Sequence, residues 1–408
     1  MRTNQLSLIV AIALCATPLY ASASSTFEVS GWMPYWRAAT SSNDVTPHLS
    51  ELTEINPFVY SVSPTGSIID NGPMTSATWQ SVIDSAKAQK VRVIPTIMWS
   101  NGAAIQSVLS NAKSRQKLEG DIAKLVKANQ FDGIDIDFEN KSAATKSYFS
   151  LFLKGLYSRM GSKLVTCDIE ARTPIEEAYY GTEIPADAGQ YANDYVQINK
   201  YCDRVHIMAY DQQGVDSLLA ATAASSSQLY APVADTAWVE SVVRLAKKTI
   251  NPKKIVIGVP TYGYEYEVTA YANNQNLYDI LWTFDPGYAL QIENQYGVTP
   301  VRNSAGEMSL TYKPLASSTA PSSPTQTGST GGSTIGAMNG LTAAAAASLY
   351  ATTYNSHLTF NMLDWSDAQS IKDKIALAKA LGVRGVAIFE FDGGEDPALW
   401  STLLGAKK

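Results

Sequence analysis

Short runs rich in Val, Ile and aromatic residues recur along the chain, and stretches with helical periodicity separate them. Eight such runs stand in order: Phe27–Trp36, Pro57–Val62, Val91–Trp99, Gly133–Glu139, Leu164–Glu170, Arg204–Tyr210, Ile255–Tyr262 and Gly385–Phe391. Most are continuously apolar, as parallel strands buried on both faces should be. Between them, Ala77–Gln89, Gln116–Asn129, Ala143–Met160, Tyr191–Lys200 and Ala234–Ile250 carry helical patterns. Before the last run, Ser366-Asp367-Ala368-Gln369 spells a capping box with Ser366 at the N-cap and Gln369 three residues on. Ile371, Ile375 and Ala378 then follow at helical spacing. This alternation predicts a parallel α/β architecture. No glycine-rich phosphate loop follows the first strand, so a closed (β/α)8 TIM barrel is preferred to a doubly wound sheet.

The rhythm breaks once. From Gly263 to about Phe360, roughly a hundred residues separate the seventh and eighth strands, so a lobe is expected to be inserted at 263–360. Within it, Tyr288–Tyr296 reads as a helix and Met308–Tyr312 as a strand. Ser317–Thr334 is almost wholly Ser, Thr, Pro and Gly without charge, a composition that cannot bury a core and reads as a mobile loop. Ala220–Ser227 is a smaller stretch of the same kind.

Composition narrows the setting. Arg2 precedes an apolar run from Leu6 to Leu14, and Ala21-Ser22-Ala23 offers a cleavage site, so 1–23 reads as a secretory signal peptide and 27–408 as the barrel. The protein is then expected to be secreted, to the medium or the cell envelope, without a membrane span. Cys15 would leave with the leader, and Cys167 and Cys202 remain. An oxidising compartment permits a bridge between them. Cys167 falls mid-strand, however, and Cys202 before the next strand begins, a stagger that argues against one. The net charge of −6 and the absence of basic clusters exclude nucleic acid and anionic membrane as expected partners. No Cys/His spacing suits zinc.

The chemistry concentrates between Phe131 and Asn140, which read F-D-G-I-D-I-D-F-E-N. Asp135, Asp137 and Glu139 alternate strictly, so a strand projects all three from one face, while Ile134, Ile136 and Phe138 point to the other. Asp132 is out of phase and reads as a strand-start residue. A row of like charges beside an apolar face is costly unless a member takes a proton or a partner. Sites in such barrels lie at the C-terminal ends of the strands. That rule selects Glu139 at the mouth, with Asp137 and Asp135 deeper. On the sixth strand it selects Tyr210, with Met208 on the same face and Asp211 just beyond. His206 shares that face and reads as a hydrogen-bonded core residue. Aromatic residues gather at the same end: Trp32, Tyr35, Trp36, Tyr60, Trp99, Tyr262, Tyr264 and Phe389. Flat rings there make stacking platforms for sugar faces.

The string D-G-x-D-x-D-x-E, with M-x-Y-D on the sixth strand (Met208, Tyr210, Asp211), resembles family 18 glycoside hydrolases, the chitinases and their relatives. The segment Trp365–Trp400 is similar to the spore-cortex and cell-wall N-acetylglucosaminidase branch. The resemblance implies substrate-assisted, retaining cleavage of β-1,4 bonds in N-acetylglucosamine glycans, chitin oligomers or peptidoglycan, by a monomer needing no metal or cofactor. In it Glu139 is the acid, Asp137 orients the acetamide, Tyr210 donates to the acetamide oxygen, and Asp135 shares a proton with Asp137. The aromatic residues, with Met208 and Asp211, line the substrate groove. One departure stands out: Phe389 occupies a place where the family usually has Trp. The rival reading is a sugar-binding lectin on an inactive barrel, but such relatives typically lose Glu139 or Asp137, and this chain keeps both.

Overall fold

The computed structural model describes residues 27–273, 275–314 and 342–407, so the leader at 1–23 and the loop at 317–334 lie outside the described residues. Eight parallel strands close into a barrel: Glu28–Pro34 pairs with Gly385–Phe389 on one side and with Glu54–Val62 on the other. The third strand is broken into Arg92–Val93 and Thr96–Trp99, with Pro95, which has no N–H to give a ladder, in the gap. Gly133–Phe138, Leu164–Glu170, Arg204–Met208 and Ile255–Pro260 complete the circuit. Asp132 marks the strand start as its phase predicts, and its carboxylate accepts the Val93 N–H at 2.9 Å.

The main hydrophobic core lies between the barrel and its helices, where Val29, Ile55, Ile97, Ile136, Val165 and Ile207 point outward. The lumen is different. Bulky aliphatic side chains usually fill such an interior. Here Glu28, Ser30, Glu54, Asn56, Thr96, Asp135, Thr166, Asp168 and His206 are buried in it. At the base, Glu28 meets three guanidinium groups, Arg92 at 2.9 Å, Arg204 at 3.1 Å and Arg384 at 2.8 Å. Burial alone would push the Glu28 carboxyl up, but these three cations hold it below the ordinary range.

The inserted lobe leaves directly from the seventh strand. Its five-stranded sheet runs in the order Asn276–Phe284, Gly263–Tyr271, His357–Trp365, Met308–Tyr312, Val301–Arg302. It therefore continues five residues past Phe360. Helix Pro286–Tyr296 packs on one face and Ala343–Tyr354 on the other. Glu307, buried in the lobe, accepts the backbone N–H groups of Val233 and Ala234 and lies 3.8 Å from the buried Lys374 of a barrel helix.

Three expectations are corrected. Ala220–Ser227 belongs largely to a helix, Ser217–Ser225, which Asp216 caps through the Leu219 N–H. Small residues rich in Ala are good helix formers once a cap supplies the start. The capping box sits one residue later than its sequence suggests, with Asp367 as N-cap and Ser370 as its reciprocal partner. Ser366 is held instead by the segment after the seventh strand, donating its N–H to the Tyr262 carbonyl at 3.1 Å.

The third correction is covalent: Cys167 and Cys202 form a disulfide, with Cα atoms 6.0 Å apart. Cys202 ends the helix Tyr195–Tyr201 on the outer face of the barrel, and Cys167 points out of its strand to that same face. Stagger along the strands is therefore no measure of their separation. The bridge closes a 35-residue separation, so replacing both cysteines by Ala is expected to cost about 3–4 kcal/mol of stability. Urea unfolding of the two proteins measures this, and a loss under about 1 kcal/mol would show that the unfolded chain is already constrained.

Candidate active site

The fourth strand delivers its carboxylates in the predicted order. Asp135 is fully buried, Asp137 is 4% exposed, and Glu139 emerges just past the strand end. The Glu139 N–H donates to the Trp99 carbonyl at 2.8 Å, which fixes the last residue of the row. On the opposite face, Phe138 stacks on Phe152 at 5.3 Å. That packing pins the strand's register and so aims the acids inward.

Asp135 Oδ2 accepts from Trp32 Nε1 at 3.0 Å and from the Thr96 hydroxyl at 2.7 Å. Its other oxygen lies 3.5 Å from His206 Nδ1. Burial pushes the Asp135 carboxyl up, but the His206 hydrogen bond and charge, with the Thr96 and Trp32 donors, hold it below the usual range. Asp137 goes the other way. Burial, then the neighbouring Asp168, Glu139 and Asp135 carboxylates, push it well above the usual range, as in a row of acids that titrates as a coupled set.

Asp137 and Asp168 floor a cleft of about 700 Å³ at the barrel mouth. Trp32, Tyr35, Trp36, Tyr60, Met208, Tyr210, Asp211 and Phe389 line it with Asp137 and Glu139. Trp36 is 52% exposed, a ring free to meet a ligand, whereas Trp32 is buried in the floor. Phe389 lies 5.3 Å from Tyr210 with the planes 20° apart. Behind Tyr210 stands Gly258, where an added Cβ would fall 2.8 Å from the tyrosine ring and 2.6 Å from the Ile207 carbonyl. Burial and the carboxylates of Asp168 and Asp137 push the Tyr210 hydroxyl well above the usual phenol range, so it remains a donor. Asp211 adopts a left-handed backbone (φ 59°) and accepts from the hydroxyls of Tyr262 and Tyr264. Tyr262 therefore buttresses the cleft through Asp211 and Phe389, 6.2 Å from its ring.

Trp99 is the predicted site residue that the structure places elsewhere. Thr96 and Met98 point into the barrel, so Trp99 points out, into the helix-side core against the edge of Phe138 at 5.4 Å. The sequence reading also leaves out Asp168 and Glu170, which line the cleft from the fifth strand. Asp168-Ile169-Glu170 carries the same alternation as the fourth strand, and that pattern was the available signal. Glu170 is held by Arg172 at 3.1 Å and by the Asn193 amide.

Two groups, Glu28/Glu54/His206 and Asp135/Asp168/His206, each present three ligand-type atoms within 4.8 Å of one another. One oxygen each of Glu28, Glu54 and Asp135 is engaged by Arg92, Arg204, Arg384, Trp32 or Thr96, so the groups read as ion-pair and hydrogen-bond networks. Two larger hollows on the lobe, about 880 and 810 Å³, have no carboxylate among the described residues lining them. No helix among the described residues is long and apolar enough to cross a membrane.

Known proteins align with this arrangement. The chain is 24% identical over 233 residues to the uncharacterized glycosylase YvbX of Bacillus subtilis, covering 55% of this chain and 61% of that protein, less than two thirds of its length. The crystal structure of the Bacillus megaterium spore cortex-lytic enzyme SleL superposes with a TM-score of 0.65 at 18% identity, covering 93% of this chain and 74% of that one. A class V chitinase from Nicotiana tobaccum, in complex with NAG4, superposes with a TM-score of 0.61 at 14% identity over 94% of this chain and 99% of its own. The sequence profile of glycosyl hydrolases family 18 matches residues 31–394. A match running from the first strand to the eighth, acid row and lobe included, makes this chain a member of the glycosyl hydrolases family 18.

Proposed function

We propose that the protein is a secreted hydrolase that cleaves β-1,4 linkages of N-acetylglucosamine-containing glycans with retention at the anomeric carbon. One observation carries this reading: Glu139 stands at the mouth of an aromatic cleft, directly above a buried, proton-sharing Asp137. Glu139 gives its proton to the glycosidic oxygen as the bond to the anomeric carbon breaks. The substrate's own acetamide oxygen attacks that carbon from the other face, and an oxazolinium forms. Asp137 orients the acetamide and, as the shared proton passes to Asp135 beneath it, offsets the positive charge, while the Tyr210 hydroxyl donates to the acetamide oxygen. Water, deprotonated by the Glu139 carboxylate, then opens the ring and restores the acid.

The tobacco chitinase's complex with NAG4 supports an N-acetylglucosamine oligomer as ligand class, and the SleL likeness supports peptidoglycan as a source. Phe389 offers less stacking area than Trp and no N–H donor. Soluble oligomers and loosened wall glycan should therefore be better substrates than crystalline chitin. Mass spectrometry of products from purified peptidoglycan, soluble chitin oligomers and colloidal chitin tests this. The expected result is faster release from the first two. Binding of every glycan without turnover of any would make the protein a lectin.

A further inference from the structure

Two buried ionisable side chains in the lumen, Asp168 and His206, take no part in the steps above. His206 is fully buried, and its Nδ1 lies 2.9 Å from Asp168 Oδ1 and 3.5 Å from Asp135 Oδ1. Strand register accounts for this: Asp168 is directly opposite His206, and Asp135 sits opposite Thr166 one strand over. Among the described residues, His206 is the one basic group within ion-pair distance of either aspartate. Asp168 also lines the cleft floor with Asp137 and Tyr210.

We propose that Asp168 and His206 are positioning residues that set the charge of the acid row. His206, as the cation between Asp135 and Asp168, holds Asp135 ionised, and Asp168 crowds Asp137 so that the row's proton stays on the side facing substrate. This rests on the hydrolase reading of the row. The groups facing His206 are Asp135 from the fourth strand, Asp168 from the fifth, and Glu28 and Glu54 from the first and second. The last two are already matched by Arg92, Arg204 and Arg384, so the His206 charge serves the upper pair. Facing Asp137 are Asp168, Glu139, Asp135 and the Tyr210 hydroxyl, with Lys141 as a more distant cation. Burial would pull His206 down, but its bonds to Asp135 and Asp168 outweigh this and hold it well above the usual imidazole range. Asp168 itself is pushed well above the usual range by burial and by Asp135.

The two residues should act on hydrolysis in opposite directions. Asp137 must ionise to meet the cationic intermediate, and this sets the acid limb of kcat/KM. Asp168→Asn removes an acid that competes with Asp137 for ionisation, so Asp137 ionises more easily and the limb moves down by about one pH unit. His206→Gln removes the cation, the row releases its proton less easily, and the limb moves up by about one pH unit. A merely structural role would lower stability in both variants without moving the limb.

The test is the pH profile of kcat/KM for wild type and both variants on a soluble N-acetylglucosamine oligomer, with urea unfolding alongside. Nitrogen-15 NMR of the wild-type imidazoles between pH 5 and 9 accompanies it, since the chain has three histidines. Opposite shifts of the limb, with His206 doubly protonated at pH 7, support the proposal. Shifts in the same direction, no shift, or a neutral His206 at pH 7 overturn it. The NMR arm needs neither a folded variant nor turnover, so a wild type inert on every glycan would sink the hydrolase reading and leave the His206 charge separately decided.

Discussion

Glu139→Gln is expected to lower kcat on a soluble N-acetylglucosamine oligomer by about 10²–10⁴-fold, with little change in the oligomer's dissociation constant. The amide keeps the size of the carboxyl and cannot give up the proton. The backbone should stay as it is, because the Glu139 N–H donates to the Trp99 carbonyl, and the amide still offers Asp137 a hydrogen-bonding partner. The loss should therefore appear in single-turnover rates, while calorimetric binding persists. A variant retaining more than about a tenth of the wild-type rate would remove Glu139 from the acid's role and leave its assignment to another carboxyl, Glu170 first.

Full de-acetylation of the substrate should be as damaging, with no hydrolysis detectable on an oligomer of glucosamine. If the acetamide oxygen is the nucleophile, its removal leaves the anomeric carbon without an attacking group. The row beneath offers no substitute, since Asp137 is only 4% exposed and is crowded by Asp168, Glu139 and Asp135, which with burial push its carboxyl well above the usual range. A stable thiazoline mimic of the oxazoline should inhibit competitively. Equal turnover of acetylated and de-acetylated oligomers, followed by chromatography, would show that the enzyme supplies the nucleophile.

Most of the barrel was legible because each strand is a compact apolar run, and the acid row because alternation is a rule about faces. Trp99 shows where that legibility ends. Its place at a strand end says that it is near the mouth, but only the parity of Thr96 and Met98 says which way it points, and Pro95 obscures the phase by splitting the strand. The disulfide was hidden because the outer layer is laid down by helix packing, and no strand count reports where helix Tyr195–Tyr201 ends. Asp168 escaped because a strand read singly gives no sign of which residue the next strand places beside it. Its role depends on His206, which is 38 positions away in sequence and 2.9 Å away in space.

The base of the barrel bears on how the chain folds. Glu28 is bonded to Arg92, Arg204 and Arg384, which lie 64, 176 and 356 positions further on. Until the eighth strand arrives, a nascent barrel encloses this carboxylate with its set of cations incomplete, and a buried charge missing partners is strongly unfavourable. Partly closed barrels are thereby destabilised relative to both the open chain and the finished ring. Closure should then be a late, all-or-none event, slow because its contacts span nearly the whole sequence.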